Sequence, residues 1–183
     1  MNNYLCFCFR AAVFNRLDLI SFLLDHGVPI DTRDAQSSTP FLDAVAAGQT
    51  KCARLLLQRG ADIKASDIFM KNCIHMAVEN ENLETLQMLL EERSVLWNLY
   101  RPDVHERVPL HYAAMVKDIK VGNKRKYGFV FCIWSSSLSS TPDTAEQNWR
   151  TVFTTAISLN QKRTFAKQIP MNFNFFQLKI INN

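Results

Sequence analysis

Glycine is scarce in this 183-residue chain, with five residues and never two in a Gly-x-Gly arrangement, so phosphate-cradling loops of the nucleotide-binding type are excluded. No apolar run approaches the roughly 20 residues of a bilayer-spanning helix, so the chain by itself builds no membrane pore. Metal-type Cys-x-x-Cys pairs and Asn-x-Ser/Thr acceptors are also missing; with five Cys, an odd number, this favours a reducing, cytosolic setting over a disulfide framework. Met1 to Phe9 carries neither a basic leader region nor a small-residue cleavage site, which argues against a signal peptide. His26, His75, His105 and His111 lie in four unrelated contexts, with no His-Glu-x-x-His and no Gly-x-Ser-x-Gly turn. No catalytic constellation and no cofactor motif remain.

What the chain has is a period. Gly27, Ile30 and Asp34 recur 33 residues on as Gly60, Ile63 and Asp67, and Ala11 recurs as Ala44 and Ala77. The same 33-residue step carries Phe22-Leu23-Leu24 to Leu55-Leu56-Leu57 and then to Met88-Leu89-Leu90. Repeats of this length are supersecondary units that bury their apolar faces only by stacking on one another. Each unit opens on a similar phrase: Thr39-Pro40-Phe41-Leu42-Asp43-Ala44, then Asn72-Cys73-Ile74-His75-Met76-Ala77, then Val108-Pro109-Leu110-His111-Tyr112-Ala113. Thr39 and Asn72 suit a helix N-cap, and Pro40 suits the first helical position, where a missing N–H costs nothing. Small Ala44 and Ala77 let paired helices approach, the Leu triplets supply the apolar seam, and Gly27 and Gly60 end the second helix of each pair.

These phrases resemble the Thr-Pro-Leu-His-x-Ala signature of ankyrin repeats. The resemblance implies an all-α solenoid of stacked helix pairs with projecting hairpin fingers, acting by binding proteins rather than by catalysis. Residues 1–120 then hold about three repeats and an incomplete fourth, because Lys124-Arg125-Lys126 stands where the fourth apolar triplet is due. Within the family, the stretch from about residue 20 to 118 looks like the middle of the long cytosolic ankyrin array of TRPA-type (ankyrin-type transient receptor potential) cation channels, where a Lys/Arg-Asn pair replaces Thr-Pro as Lys71-Asn72 does here. That narrower likeness implies a tetrameric, calcium-permeable parent channel whose pore is not in this chain. It implies location in the cytoplasm or at the cytoplasmic face of a membrane, with neighbouring ankyrin repeats or channel subunits among the partners. A free-standing cytosolic adaptor is the alternative.

The fingers, residues 28–38 and 61–71, are the expected contact surface together with the concave helix faces. Arg33, Gln36, Lys64 and Lys71 offer polar groups there, and Ile68, Phe69 and Met70 place three apolar side chains at one tip. Phe69 and Met70 either pack on a neighbouring finger or meet a partner. Ankyrin turns usually carry Gly where this chain has Ser37 and Met70, so Met70 accepts a left-handed backbone or the turn differs. His75 and His111, at the signature's own His position, are expected to hydrogen-bond structurally; His26 is expected to cap a helix end. Cys52 and Cys73 read as small core residues.

Residues 121–183 break the pattern. They carry eight basic and two acidic residues, against 13 basic and 15 acidic before them, and read as an irregular basic tail. Within it, Phe129–Trp134 is a strand-like apolar run, and Trp149, Val152, Phe153 and Ala156 share one face of a helix expected near 142–160, suited to docking on the open end of the array. Three clustered basic residues at Lys124–Lys126 are too few to point to nucleic acid.

Overall fold

A computed structural model describes residues 3–115. The tail expected over 121–183, with its helix near 142–160, lies outside these residues. Seven α-helices follow one another: α1 (Asn3–Val13), α2 (Leu17–Asp25), α3 (Pro40–Ala46), α4 (Thr50–Gln58), α5 (Cys73–Glu79), α6 (Leu83–Leu90) and α7 (Pro109–Met115). A 3-10 helix, Arg93–Leu99, stands between α6 and α7, and no extended strand occurs among the described residues.

Helices pair as α1 with α2, α3 with α4 and α5 with α6. First helices stack in the order α1, α3, α5, α7, and second helices in the order α2, α4, α6. Burial follows the repeat: Ala11, Ala44 and Ala77 are all buried in the first-helix row, and Ile20, Leu23, Leu56, Leu86 and Leu89 in the second. One continuous apolar core results, running from Ala11 to Ala113. Helices of seven to eleven residues are too short to persist alone in water, so this shared core is what stabilises them.

Tight turns repeat with the helices. Asn15, Gly48 and Glu81, again 33 apart, take φ of 56°, 70° and 56° between the two helices of each pair. Gly48 is required there, because a Cβ would sit 2.6 Å from Asn82 Oδ1, and Asn82 Nδ2 is donating to the carbonyls of Val45 and Ala46 at 3.0 Å. The ends of α2 and α4 match the expected glycine caps: Val28 N–H donates to Leu23 O and Ala61 N–H to Leu56 O, with Gly27 and Gly60 at positive φ. After α6 no glycine follows. There the chain enters the 3-10 helix, whose Val95, Asn98 and Leu99 are buried, and this accounts for the step of 36 rather than 33 between Ala77 and Ala113.

Candidate functional site

Three fingers lead into α3, α5 and α7, and one carboxylate organises each. Asp34 Oδ1 accepts from Gln36 N (2.9 Å) and Ser38 N (2.8 Å). Asp67 Oδ1 accepts from Phe69 N (2.9 Å) and Lys71 N (2.8 Å), and Asp103 Oδ1 from His105 N (2.8 Å) and Arg107 N (2.9 Å). Aspartate side chains favour such turns because they reach the backbone two residues on. The left-handed residue is Ser37, Met70 or Glu106, at φ of 57°, 59° and 60°, so Met70 does accept the backbone that glycine usually takes.

Adjacent fingers are tied edge to edge. Ile68 N–H donates to Gln36 O at 2.9 Å, and Val104 N–H donates to Phe69 O at 3.0 Å. Arg33 Nη1 donates to Ser37 O and to Ser66 O, both at 2.9 Å, joining the first finger to the second. Asp31 Oδ1 accepts from Asp62 N at 3.0 Å, and Arg101 Nη1 reaches Lys64 O at 3.5 Å. The fingers are therefore one ribbed surface.

The seven residues expected on that surface divide by their bonds. Ile68, Phe69 and Met70 stand together at the second tip, 49%, 50% and 46% exposed, and Val104 on the adjacent finger is 47% exposed. Half of each side chain is thus open to contact. Gln36 and Lys64 are exposed, with their carbonyls engaged by Ile68 and Arg101. Arg33 is spent on the carbonyls just named. Lys71 turns inward: its Nζ lies 2.7 and 2.8 Å from the Glu79 carboxylate oxygens and 5.3 Å from the centre of the Tyr112 ring.

Behind the fingers lies a polar network that the sequence did not announce. Tyr112 Oη donates to Asp103 Oδ2 at 2.6 Å, and Arg107 pairs with the same oxygen through Nη2 at 3.1 Å while lying over the Tyr112 ring. Burial alone would raise the Asp103 carboxyl, yet the hydrogen bonds from Tyr112, Arg107 and His105 and the Arg107 charge hold it well below the usual carboxylate range. Burial and the Asp103 contact push the Tyr112 phenol upward. Asn98 Nδ2 donates to Ile63 O at 2.7 Å, sealing the 3-10 helix to the root of the second finger. A signal for Asp103 existed: adding the three-residue insertion to the Asp34–Asp67 step lands on it.

Three of the four histidines, His26, His75 and His111, make structural hydrogen bonds. His75 Nδ1 accepts from Asn72 N at 3.2 Å, which leaves the proton on Nε2 to donate to Arg107 O at 2.9 Å. His111 Nδ1 accepts from Val108 N at 3.1 Å. Burial lowers both His75 and His111 below the ordinary imidazole range. His26 Nδ1 bonds Phe22 O at 2.8 Å, a helix-end cap. Burial raises the thiols of Cys52 and Cys73 to about 11 and about 12, keeping them protonated and inert at neutral pH. No group of three or more His, Cys, Asp or Glu is arranged to hold a metal ion, and no helix is long and apolar enough to cross a membrane, among the described residues.

Helix pairs at a 33-residue period joined by aspartate-organised fingers define an ankyrin-repeat solenoid, and the ankyrin-repeat family matches residues 8–57 and 41–90. Residues 8–90 are ankyrin repeats, and the fold is that of a protein-interaction module. Among known proteins, the chain is similar to inversin of Canis lupus familiaris, 32% identical over 90 residues that make up 49% of this chain and 8% of inversin. Transient receptor potential cation channel subfamily A member 1 of Homo sapiens is 29% identical over 108 residues, 57% of this chain and 10% of the channel. E3 ubiquitin-protein ligase KEG of Arabidopsis thaliana is 30% identical over 113 residues, 59% of this chain and 6% of the ligase. The chain thus spans a tenth or less of the length of each of these relatives.

Proposed function

We propose that residues 1–120 are a binding segment of the cytosolic ankyrin array of a TRPA-type cation channel, gripping protein partners with the second and third fingers. The observation that supports the contact surface is the half-exposed apolar tip of Ile68, Phe69 and Met70, adjoined by Val104 on a ribbed backbone surface. Apolar exposure of this kind on an otherwise polar turn marks an interaction site. Arg33 and Lys71 serve the surface from within, by holding the fingers in place, while Gln36 and Lys64 line its rim. Supporting the channel assignment is the similarity over 108 residues to the human channel, together with the Lys71-Asn72 opening of the third repeat. Similarity of the same order to inversin and to KEG favours a second reading, a cytosolic ankyrin adaptor.

Transcript sequence downstream of the Lys120 codon separates the two. Further repeats followed by six apolar spans establish a channel parent; their absence leaves the adaptor. The contact surface is tested by Phe69→Ser in the full chain: partners crosslinked to the wild type are lost, while the thermal midpoint stays within about 2 °C, as expected for an exposed site. Unchanged crosslinking would move the contact elsewhere.

A further inference from the structure

The end of the solenoid formed by α1 and α2 leaves open what the interior repeats cover. Leu19 is 39% exposed, whereas its counterparts 33 and 66 residues on, Cys52 and Thr85, are 0% and 1% exposed. Phe7 is half exposed, and its counterparts Pro40 and Cys73 are buried. These positions face the repeat before them, as the 2.9 Å hydrogen bond between the hydroxyls of Thr85 and Thr50 makes plain.

A polar observation points the same way independently. Gln49 Nε2 donates to Val13 O at 3.0 Å, and Asn82 Nδ2 donates to Val45 O and Ala46 O at 3.0 Å, so this register position ties each repeat to the closing carbonyls of the preceding first helix. In the first repeat the position is held by Arg16, exposed, its guanidinium without a hydrogen-bond partner among the described residues. Arg16 lines one open depression of about 350 Å³ with Phe7, Arg10, Ala11, Phe14 and Leu19.

We propose that this face takes an ankyrin-type helix pair continuing the array ahead of α1. The Arg16 guanidinium donates to the closing carbonyls of that pair's first helix, as the side-chain amides of Gln49 and Asn82 do to those of the preceding first helix, and the pair's apolar seam covers Leu19 and Phe7. The inference rests on the array reading above. Pairing with a second copy, face to face, is disfavoured because it sets Arg10 and Arg16 of one chain against those of the other.

The test extends the full chain with a duplicate of residues 36–68 placed directly ahead of Asn3, which keeps the 33-residue register. Expected is a thermal midpoint higher by about 4 °C or more and slower amide exchange in α1 and α2. Arg16→Ala and Leu19→Asp, both at exposed positions, each remove about half of that gain or more while barely moving the unextended chain. No gain, or a gain that both variants leave intact, overturns the proposal. So does sedimentation of the unextended chain as a dimer that Leu19→Asp splits, since the face then belongs to a second copy. Either failure leaves the finger surface untouched, because that is read from Phe69→Ser.

Discussion

α3 and α5 start at the same point of the repeat and are held by different chemistry. At α3, Thr39 Oγ1 accepts one bond from Leu42 N at 3.3 Å, and Pro40, Phe41 and Leu42 are buried. At α5, Asn72 Oδ1 accepts from Ile74 N (3.0 Å) and His75 N (3.2 Å), Asn72 N donates to His75 Nδ1, and Asn72 Nδ2 donates to Asn98 O at 2.9 Å. His75 then reaches Arg107 O in the third finger. Where the second repeat has Leu42, the third has His75, so one helix start rests on apolar burial with the local Thr39 cap and the Ser38–Asp43 bond, and the other on a chain of hydrogen bonds that reaches the next finger. The difference teaches that a repeat scaffold fixes a position without fixing its chemistry. Burial of Leu42 is indifferent to protons, while the His75 network must lose part of its bonding when the imidazole gains one.

The largest expected effect lies on the apolar side. Leu42→Ala removes a fully buried side chain and should cost about 2–5 kcal/mol in urea unfolding at neutral pH, by lost transfer energy and the cavity left behind. A loss under about 1 kcal/mol would mean the core closes around the gap. On the polar side, Asn72→Ala strips two cap bonds from α5 and leaves the buried Asn98 carbonyl short of a donor, for an expected loss of about 2 kcal/mol. Thr39→Ala, with its single long cap bond, should lose about 1 kcal/mol or less. Equal losses for these two would erase the distinction.

Smallest, and most specific, is the response to pH. Burial lowers the folded-state affinity of His75 for a proton, outweighing the Arg107 carbonyl and the charges of Asp103 and Asp67, with Lys71 acting in the same direction as burial. The unfolded chain binds that proton near pH 6.5 and the folded chain resists it, so stability should fall as pH drops from about 7 to 5. His111, also lowered, adds to the fall with the same sign. Urea midpoints measured across this range should slope less in His75→Gln than in wild type, whereas Leu42→Ala should keep the full slope. A His75→Gln profile parallel to wild type would show that His75 does not titrate on unfolding.

The period made the helix pairs legible before any coordinates: the Ala11, Ala44, Ala77 series and the Leu triplets are local, repeated and apolar, so their burial follows from spacing alone. Glycine caps at Gly27 and Gly60 were legible for the same reason, whereas the structural role of His75 and His111 followed from their place in the ankyrin-like signature. The fingers were legible in place but not in bonding. Lys71 reads as a free surface cation until Glu79, one helix away, is seen to meet it, and Arg33 until Ser66 O arrives from the next repeat. Such contacts depend on where side chains from distant segments converge. Asp103 escaped because the 3-10 helix shifts the register by three residues and hides it from an exact 33-residue comparison.

The aspartate beneath the second finger carries one more consequence. Asp67 Oδ1 grips the amides of both Phe69 and Lys71, on either side of Met70, while Gln36 and Val104 hold the flanks of the same tip. On the proposed reading, a protein that closes on Ile68, Phe69 and Met70 meets a loop already held by these bonds. Less backbone freedom is then left to be surrendered at the moment of capture, which lowers the ordering cost of association at this tip.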